Sequence, residues 1–150
     1  MASESRNNQR VGDVMTPDPE CVSSKDLIRD AARIMKNADT GVVPVVDGKK
    51  IIGLITDRDI VVRCIAEGKD VNNARVTDAM TKDVRKVDED TPISEVVELM
   101  SSAQVRRVPV VNRNDELVGI FSMADLATET REAARLGKAM EEISEGPGNN

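Results

Sequence analysis

Short β-branched runs and amphipathic stretches alternate along this 150-residue chain, and the alternation occurs twice in the same order. Each half opens on a brief extended piece, Glu20 to Val22 and Arg85 to Val87. A helix is predicted next. In the first half Leu27, Ile28, Ala31, Ile34 and Met35 keep helical spacing, with Ser23 as N-cap and Asp26 three residues on. In the second, Thr91 caps and Pro92 takes the first helical position, with Ile93, Val96, Val97 and Met100 on one face. The two helices should end near Ala38 and Gln104.

Two strands follow in each half. Val42 to Val46 and Ile51 to Ile55 are joined through Asp47-Gly48, a strong hairpin signal. Val108 to Val111 and Leu117 to Phe121 repeat the arrangement through the turn 112–115. Runs that are apolar on both faces should be buried. A second helix opens at Thr56 and again at Ser122; the later one is expected to lead through Ala133, Leu136, Met140 and Ile143 into a C-terminal helix. The predicted order is β-α-β-β-α, twice, in an α/β (α+β) chain.

The two halves align residue by residue. Val11-Gly12-Asp13-Val14-Met15-Thr16 returns 65 positions later as Val76-Thr77-Asp78-Ala79-Met80-Thr81, and Val43-Pro44-Val45-Val46 returns at the same distance as Val108-Pro109-Val110-Val111. Past a one-residue insertion in the turn 112–115, Gly53-Leu54-Ile55-Thr56 matches Gly119-Ile120-Phe121-Ser122, and Asp59-Ile60 matches Asp125-Leu126. A turn is where an insertion does least harm. The expected organisation is a flexible N-terminus at 1–9, repeats at 10–70 and 71–130, a C-terminal helix at 131–144 and a flexible tail at 145–150. Units of about 60 residues bury a marginal core, so each repeat should need the other.

Composition narrows the function. Hydrophobic residues make up 39%, yet Phe121 is the only aromatic, which removes the stacking platforms used by single-stranded nucleic acid. A net charge of −6 works against a phosphate backbone as partner. The longest apolar run, Val42 to Val46, is far short of a membrane span, and Met1 to Arg10 has no signal-peptide character, so a cytoplasmic protein is expected. Cys21 and Cys64 match neither a CxxC metal pair nor a redox motif and read as reduced thiols. The chain has no His, no nucleophile with a base beside it and no Walker-type loop, so an enzyme is not expected.

Thr56-Asp57-Arg58-Asp59 and Ser122-Met123-Ala124-Asp125 each place a hydroxyl and a carboxylate three residues apart at a helix start. Such a pair can satisfy the orphan amides of the first turn as a capping box, so helix capping alone accounts for the spacing.

The segments "VMTPD" and "AMTKD", "GVVPVVD" and "RRVPVVN", and "GLITDRDI" and "GIFSMADL" together resemble the cystathionine-β-synthase-type (CBS) domain family over roughly Val11 to Leu126. The resemblance implies a pseudo-twofold pair with helices outside, a cleft for each of two ligand sites, and a homodimer. It also implies that Asp59 and Asp125 accept ribose hydroxyls, while Thr56 and Ser122, with Thr16 and Thr81 of the "MT" motifs, contact sugar or phosphate. The segments running to Pro44 (Thr40, Gly41, Val42) and to Pro109 (Arg106, Arg107) would pass the adenine edge, with Val22, Ile55 and Val87 sandwiching the ring.

Phosphates need cations or amides, and Arg58, Lys82, Arg106 and Arg107 fall on motif positions that the family turns toward the central cleft. Asp57 and Asp59 would repel a polyphosphate unless these cations compensate or a divalent ion such as Mg²⁺ bridges them, although no ligand cluster indicates a metal. The second repeat has Met123-Ala124 in place of Asp57-Arg58, and Arg106 in place of Gly41, so the site around Thr56 and Asp59 reads as the more complete one. The expected function is a sensor of AMP, ADP, ATP or another adenosine compound that signals to a partner protein; the alternative is a ligand-free dimerisation or docking scaffold.

Overall fold

The computed structural model describes residues 9–126, and the helix expected at 131–144, the tail at 145–150 and residues 1–8 lie outside them. The described chain is an α+β fold of two small sheets. It opens with a helical turn, α1 (Val11–Val14), and two short strands, β1 (Thr16–Pro17) and β2 (Val22–Ser23). Helix α2 (Ile28–Ala38) leads to the hairpin β3 (Val42–Asp47) and β4 (Lys50–Thr56). The helix after it is α3 (Asp57–Asp59), prolonged as a π-helical stretch, Ile60–Ile65. A 3₁₀ turn, Val76–Asp78, then stands where α1 stood, followed by β5 (Val87–Asp88), α4 (Ile93–Ala103), β6 (Arg107–Val111) and β7 (Leu117–Ser122). Residues 123–126 are helical.

The cap of α2 lies four residues later than the sequence predicts, and that of α4 one residue later. Ser23 does not cap α2: its hydroxyl accepts from Lys25 N–H and its amide donates to Asp26, which closes a turn ahead of the helix. The cap position is Leu27, whose amide donates to Asp30 at 2.9 Å. In α4, Pro92 is itself the cap, with extended backbone (ψ 142°), so it stands one place before the position expected for it. Both helices end on a residue in left-handed conformation, Asp39 (φ 51°) and Gln104 (φ 56°), which breaks the helical hydrogen-bond ladder and turns the chain into the next strand.

The sheets have orders β2-β3-β4 and β1-β7-β6-β5. Within each repeat the pairing is the same. β2 runs parallel to β3 and β5 to β6; the hairpins β3–β4 and β6–β7 are antiparallel, each with a register shift at the matching point, Val45/Val46 and Val110/Val111. The segments ahead of β2 and β5, by contrast, cross over. Thr16 pairs with Ile120 of the second repeat, and its counterpart Thr81 bridges Leu54 of the first.

The cores follow that exchange. One cluster joins Val22, Ile28, Val43, Val45 and Ile55 to Val76, Ala79 and Met80, which come from the opening of the second repeat. The other joins Ile93, Val96, Met100, Val108, Val110 and Phe121 to Val11 from the opening of the first. Gly53 and Gly119 stand where the crossing segments press on the hairpins. A Cβ on Gly53 would lie 2.8 Å from the Thr81 carbonyl oxygen, and one on Gly119 would lie 2.9 Å from that of Thr16. The glycine that opens "GLIT" and "GIFS" is therefore required by backbone approach.

Candidate functional site

Both hydroxyl–carboxylate pairs close as reciprocal capping boxes. Thr56 N–H donates to Asp59 at 3.0 Å, and Asp59 N–H donates back to the Thr56 hydroxyl at 3.0 Å. Ser122 and Asp125 repeat this at 3.0 and 3.3 Å. Each carboxylate also takes a hydroxyl from the crossing segment of the other repeat. The Thr81 hydroxyl lies 3.3 and 3.4 Å from the two oxygens of Asp59, and the Thr16 hydroxyl donates to Asp125 Oδ1 at 3.2 Å. The boxes therefore cap helices and tie the repeats together.

Their environments are unequal. Asp59 is 8% exposed, and Arg63 Nε lies 3.8 Å from its Oδ1, so this buried carboxylate finds its partners within the chain. Asp125 is only half-buried and borders a cleft of about 260 Å³. Thr16 and Glu20 of the first repeat's opening segment, Thr40 just ahead of β3, Val42 and Pro44 of that strand, Arg107 of β6, and Ser122 also border that cleft, while Pro19, Ile34, Ala38 and Ile120 supply its apolar wall. A second cleft, about 220 Å³, is its counterpart across the repeat. Thr81, Val84 and Arg85 replace Thr16, Pro19 and Glu20; Val105, Arg107 and Pro109 replace Thr40, Val42 and Pro44; Thr56 replaces Ser122.

Sheet pairing explains why the clefts lie there. β2 reaches only Val45 and Val46 of β3, and β5 only Val110 and Val111 of β6. The preceding residues, Val42 to Pro44 and Arg107 to Pro109, have a strand neighbour on the hairpin side alone. A proline, which cannot donate to a ladder, is tolerated there, and Val42, whose amide and carbonyl both meet the Thr40 hydroxyl, borders the cleft together with Pro44.

These facts redistribute the residues expected to form the site. Val22, Ile55 and Val87 are core residues, 2%, 0% and 9% exposed, and border neither cleft. Gly41 lies outside both clefts; its carbonyl accepts from Asp57 N–H at 3.0 Å, and a side chain on it would press on the Asp57 carboxylate at 3.1 Å. Arg58 and Lys82 are exposed and border neither cleft, nor does Asp59. Thr56 does not share a cleft with Thr40 and Pro44, because each cleft takes its strand edge from one repeat and its capping hydroxyl from the other. Asp125 borders a cleft, whereas Asp59, from the pair that the sequence ranks first, borders neither. Pro19, Glu20, Val84 and Arg85 escaped notice there. Their signal was the repeat alignment itself, since each pair stands three and four residues after an aligned threonine.

The family model for the CBS domain matches residues 11–65 and 76–132, most of the chain. This chain belongs to the CBS domain family. Among relatives, the CBS pair is 42% identical over 139 residues to the uncharacterized protein YlbB of Bacillus subtilis (strain 168), covering 91% of this chain and 93% of the relative. It is 36% identical over 123 residues to hypoxic response protein 1 of Mycobacterium tuberculosis (strain ATCC 25618 / H37Rv), covering 81% and 85%. The solved structure of Hypoxic Response Protein I with two coordinated zinc ions superposes with a TM-score of 0.74 at 35% identity, covering 80% of this chain and 98% of that one. The CBS domain pair of protein MJ0100 in complex with 5′-methylthioadenosine and S-adenosyl-L-methionine superposes with a TM-score of 0.72 at 28% identity, covering 83% and 98%. Among the described residues of this CBS pair, no three His, Cys, Asp or Glu side chains group as metal ligands, and no helix is long and apolar enough to cross a membrane.

Proposed function

We propose that this CBS pair is a non-enzymatic regulatory module that takes an adenosine-containing ligand in the cleft bordered by Asp125 and signals its occupancy to a partner chain. The observation that carries this reading is the set of groups at that cleft. A half-buried carboxylate borders the same cleft as the strand residues Val42 and Pro44, with Pro19, Ile34 and Ile120 as its apolar wall. Asp125 Oδ1 has one hydroxyl partner, Thr16, and can accept from a ribose diol; a base at the strand edge would take the Val42 amide and carbonyl in place of the Thr40 hydroxyl that meets both. Aliphatic walls take the place of aromatic stacking. The MJ0100 pair, with its two adenosine compounds, supports the ligand class.

A thermal-shift screen with 5′-methylthioadenosine, S-adenosylmethionine, AMP, ADP and ATP tests it. Ligand at 100 times its dissociation constant should add about 2.7 kcal/mol to stability, and no shift with any of the five would refute the sensor reading.

One observation favours the scaffold reading. Both capping boxes are complete without a ligand, and Val61, Val62 and Ile65 lie 56%, 47% and 59% exposed on one helix, an apolar face that a homodimer would cover. Light scattering of the wild type and of Val61→Asp separates the cases: a scaffold that works through this face loses its dimer in the variant and gains no stability from any of the nucleosides.

A further inference from the structure

The two repeats present outer helices of opposite charge. Along α2 the exposed side chains Arg29, Arg33 and Lys36 follow one another at helical spacing and form one basic stripe. The aligned positions of α4 are Ser94, Glu98 and Ser101, and Glu95 is exposed beside them. Helix α4 carries no cation; its charges are Glu95 and Glu98. None of these charged side chains forms an ion pair among the described residues, whose ion pairs are Arg10–Asp90, Arg63–Asp59 and Lys86–Asp115.

The basic stripe works against the helix that bears it. Arg29 stands in the first turn of α2, where the helix dipole disfavours a positive charge, and it repels Arg33 four residues on. The acid at hand, Asp30, is engaged by the Leu27 amide. In a chain of net charge −6, three cations gathered on one helix at such a cost suit an acidic neighbour from outside the repeat.

An apolar face adjoins the stripe. Ile28 and Ala31 of α2 enter the same core as Ile60 and Cys64 of the π-helical stretch, so both helices cover that core and turn their other sides outward. One shows Arg29, Arg33 and Lys36, and the other Val61, Val62 and Ile65. An occupant must therefore bring apolar contact and negative charge together. The second repeat does so, with Glu95 and Glu98 on α4 and Met123 exposed at the start of its last described helix.

We propose that the occupant is a second copy of this chain turned end for end, so that the outer helices of each first repeat lie on those of the other chain's second repeat, and Arg29, Arg33 and Lys36 meet Glu95 and Glu98. A twofold axis makes this contact twice. The parallel arrangement sets the basic stripe against its own copy and the two glutamates against theirs, so the charges that favour one arrangement disfavour the other. The inference rests on the reading of Val61, Val62 and Ile65 as a dimer face and adds the direction in which the copies run.

Sedimentation equilibrium of the full chain and its charge variants tests this. The wild type should be a dimer that loosens as sodium chloride rises from about 0.05 M to about 0.5 M, because attraction across the contact is screened. Arg33→Glu and Glu98→Arg should each weaken the dimer about tenfold or more, and the double variant should recover wild-type affinity, since each new glutamate again faces an arginine of the other copy. Both positions are exposed, so circular dichroism should show all three variants folded. Single variants as tight as the wild type, or a dimer that tightens with salt, would overturn the proposal in favour of the parallel arrangement. A double variant no tighter than the singles would overturn the pairing of α2 with α4. If Val61→Asp is monomeric while both single charge variants dimerise as the wild type does, the apolar dimer face stands and its direction fails; a wild type that is monomeric at every concentration overturns both.

Discussion

At the scale of single residues, Asp59 and Asp125 occupy the same motif position in unequal surroundings. Asp59→Ala removes a buried carboxylate that caps α3 and takes the Thr81 hydroxyl, so it should cost about 1–3 kcal/mol in urea denaturation. Asp125→Ala should weaken a bound nucleoside by about 1.5–3 kcal/mol in titration calorimetry, through lost charge-assisted hydrogen bonds. That the two pairs sit at helix starts was legible from spacing alone. Which carboxylate stays accessible was not, because it depends on how deeply Arg63 and Thr81 enclose Asp59, and the Thr81 contact joins residues of different repeats. Cys21 adds a pH-dependent case. Burial raises its thiol above the ordinary range, so at neutral pH less of it is thiolate than in a free cysteine. Its alkylation by iodoacetamide should be slower than that of a small-molecule thiol at pH 7.5 and should still be climbing at pH values where the free thiol has levelled off.

At the scale of elements, the crossing of each opening segment over the other repeat's hairpin depends on Gly53 and Gly119. Gly53→Ala would set a methyl against a backbone carbonyl that cannot rotate away, and a loss of about 1–3 kcal/mol by thermal or urea denaturation is expected. The turn before β7 holds a separate electrostatic element, the 2.8 Å ion pair of Lys86 and Asp115. The Lys86 hydrogen bond holds the Asp115 carboxyl below its ordinary value. A depressed carboxyl stabilises the fold above its unfolded value, near pH 4, and loses that contribution as pH falls through the folded one. Asp115→Asn tolerates the positive φ of 62° while removing the charge, so its stability deficit should be present at pH 7 and vanish toward pH 3. Strands and hairpins were readable in the sequence because β-branched runs bounded by Asp-Gly or Asn-Asp turns have few alternatives. Helix starts were misplaced by up to several residues, since Ser23 and Asp26 satisfy each other in a turn before α2 begins and so imitate a cap.

At the scale of the whole molecule, periodicity revealed two copies but not their exchange, because crossing leaves no mark on either copy's pattern. One core draws on residues between Val22 and Met80, a contiguous stretch, whereas the other needs Val11 together with residues as distant as Phe121. A fragment spanning 20–82 should therefore show a cooperative melt by circular dichroism, and one spanning 10–70, of similar length, should not. The same crossing sets a timetable for the chain as it leaves the ribosome. Synthesis delivers residues in order, and the first core can close once Met80 has emerged. The segment around Val11 emerges well before the strand carrying Phe121 and has no seat until that strand exists, so within the second core the part made first is the last to be buried.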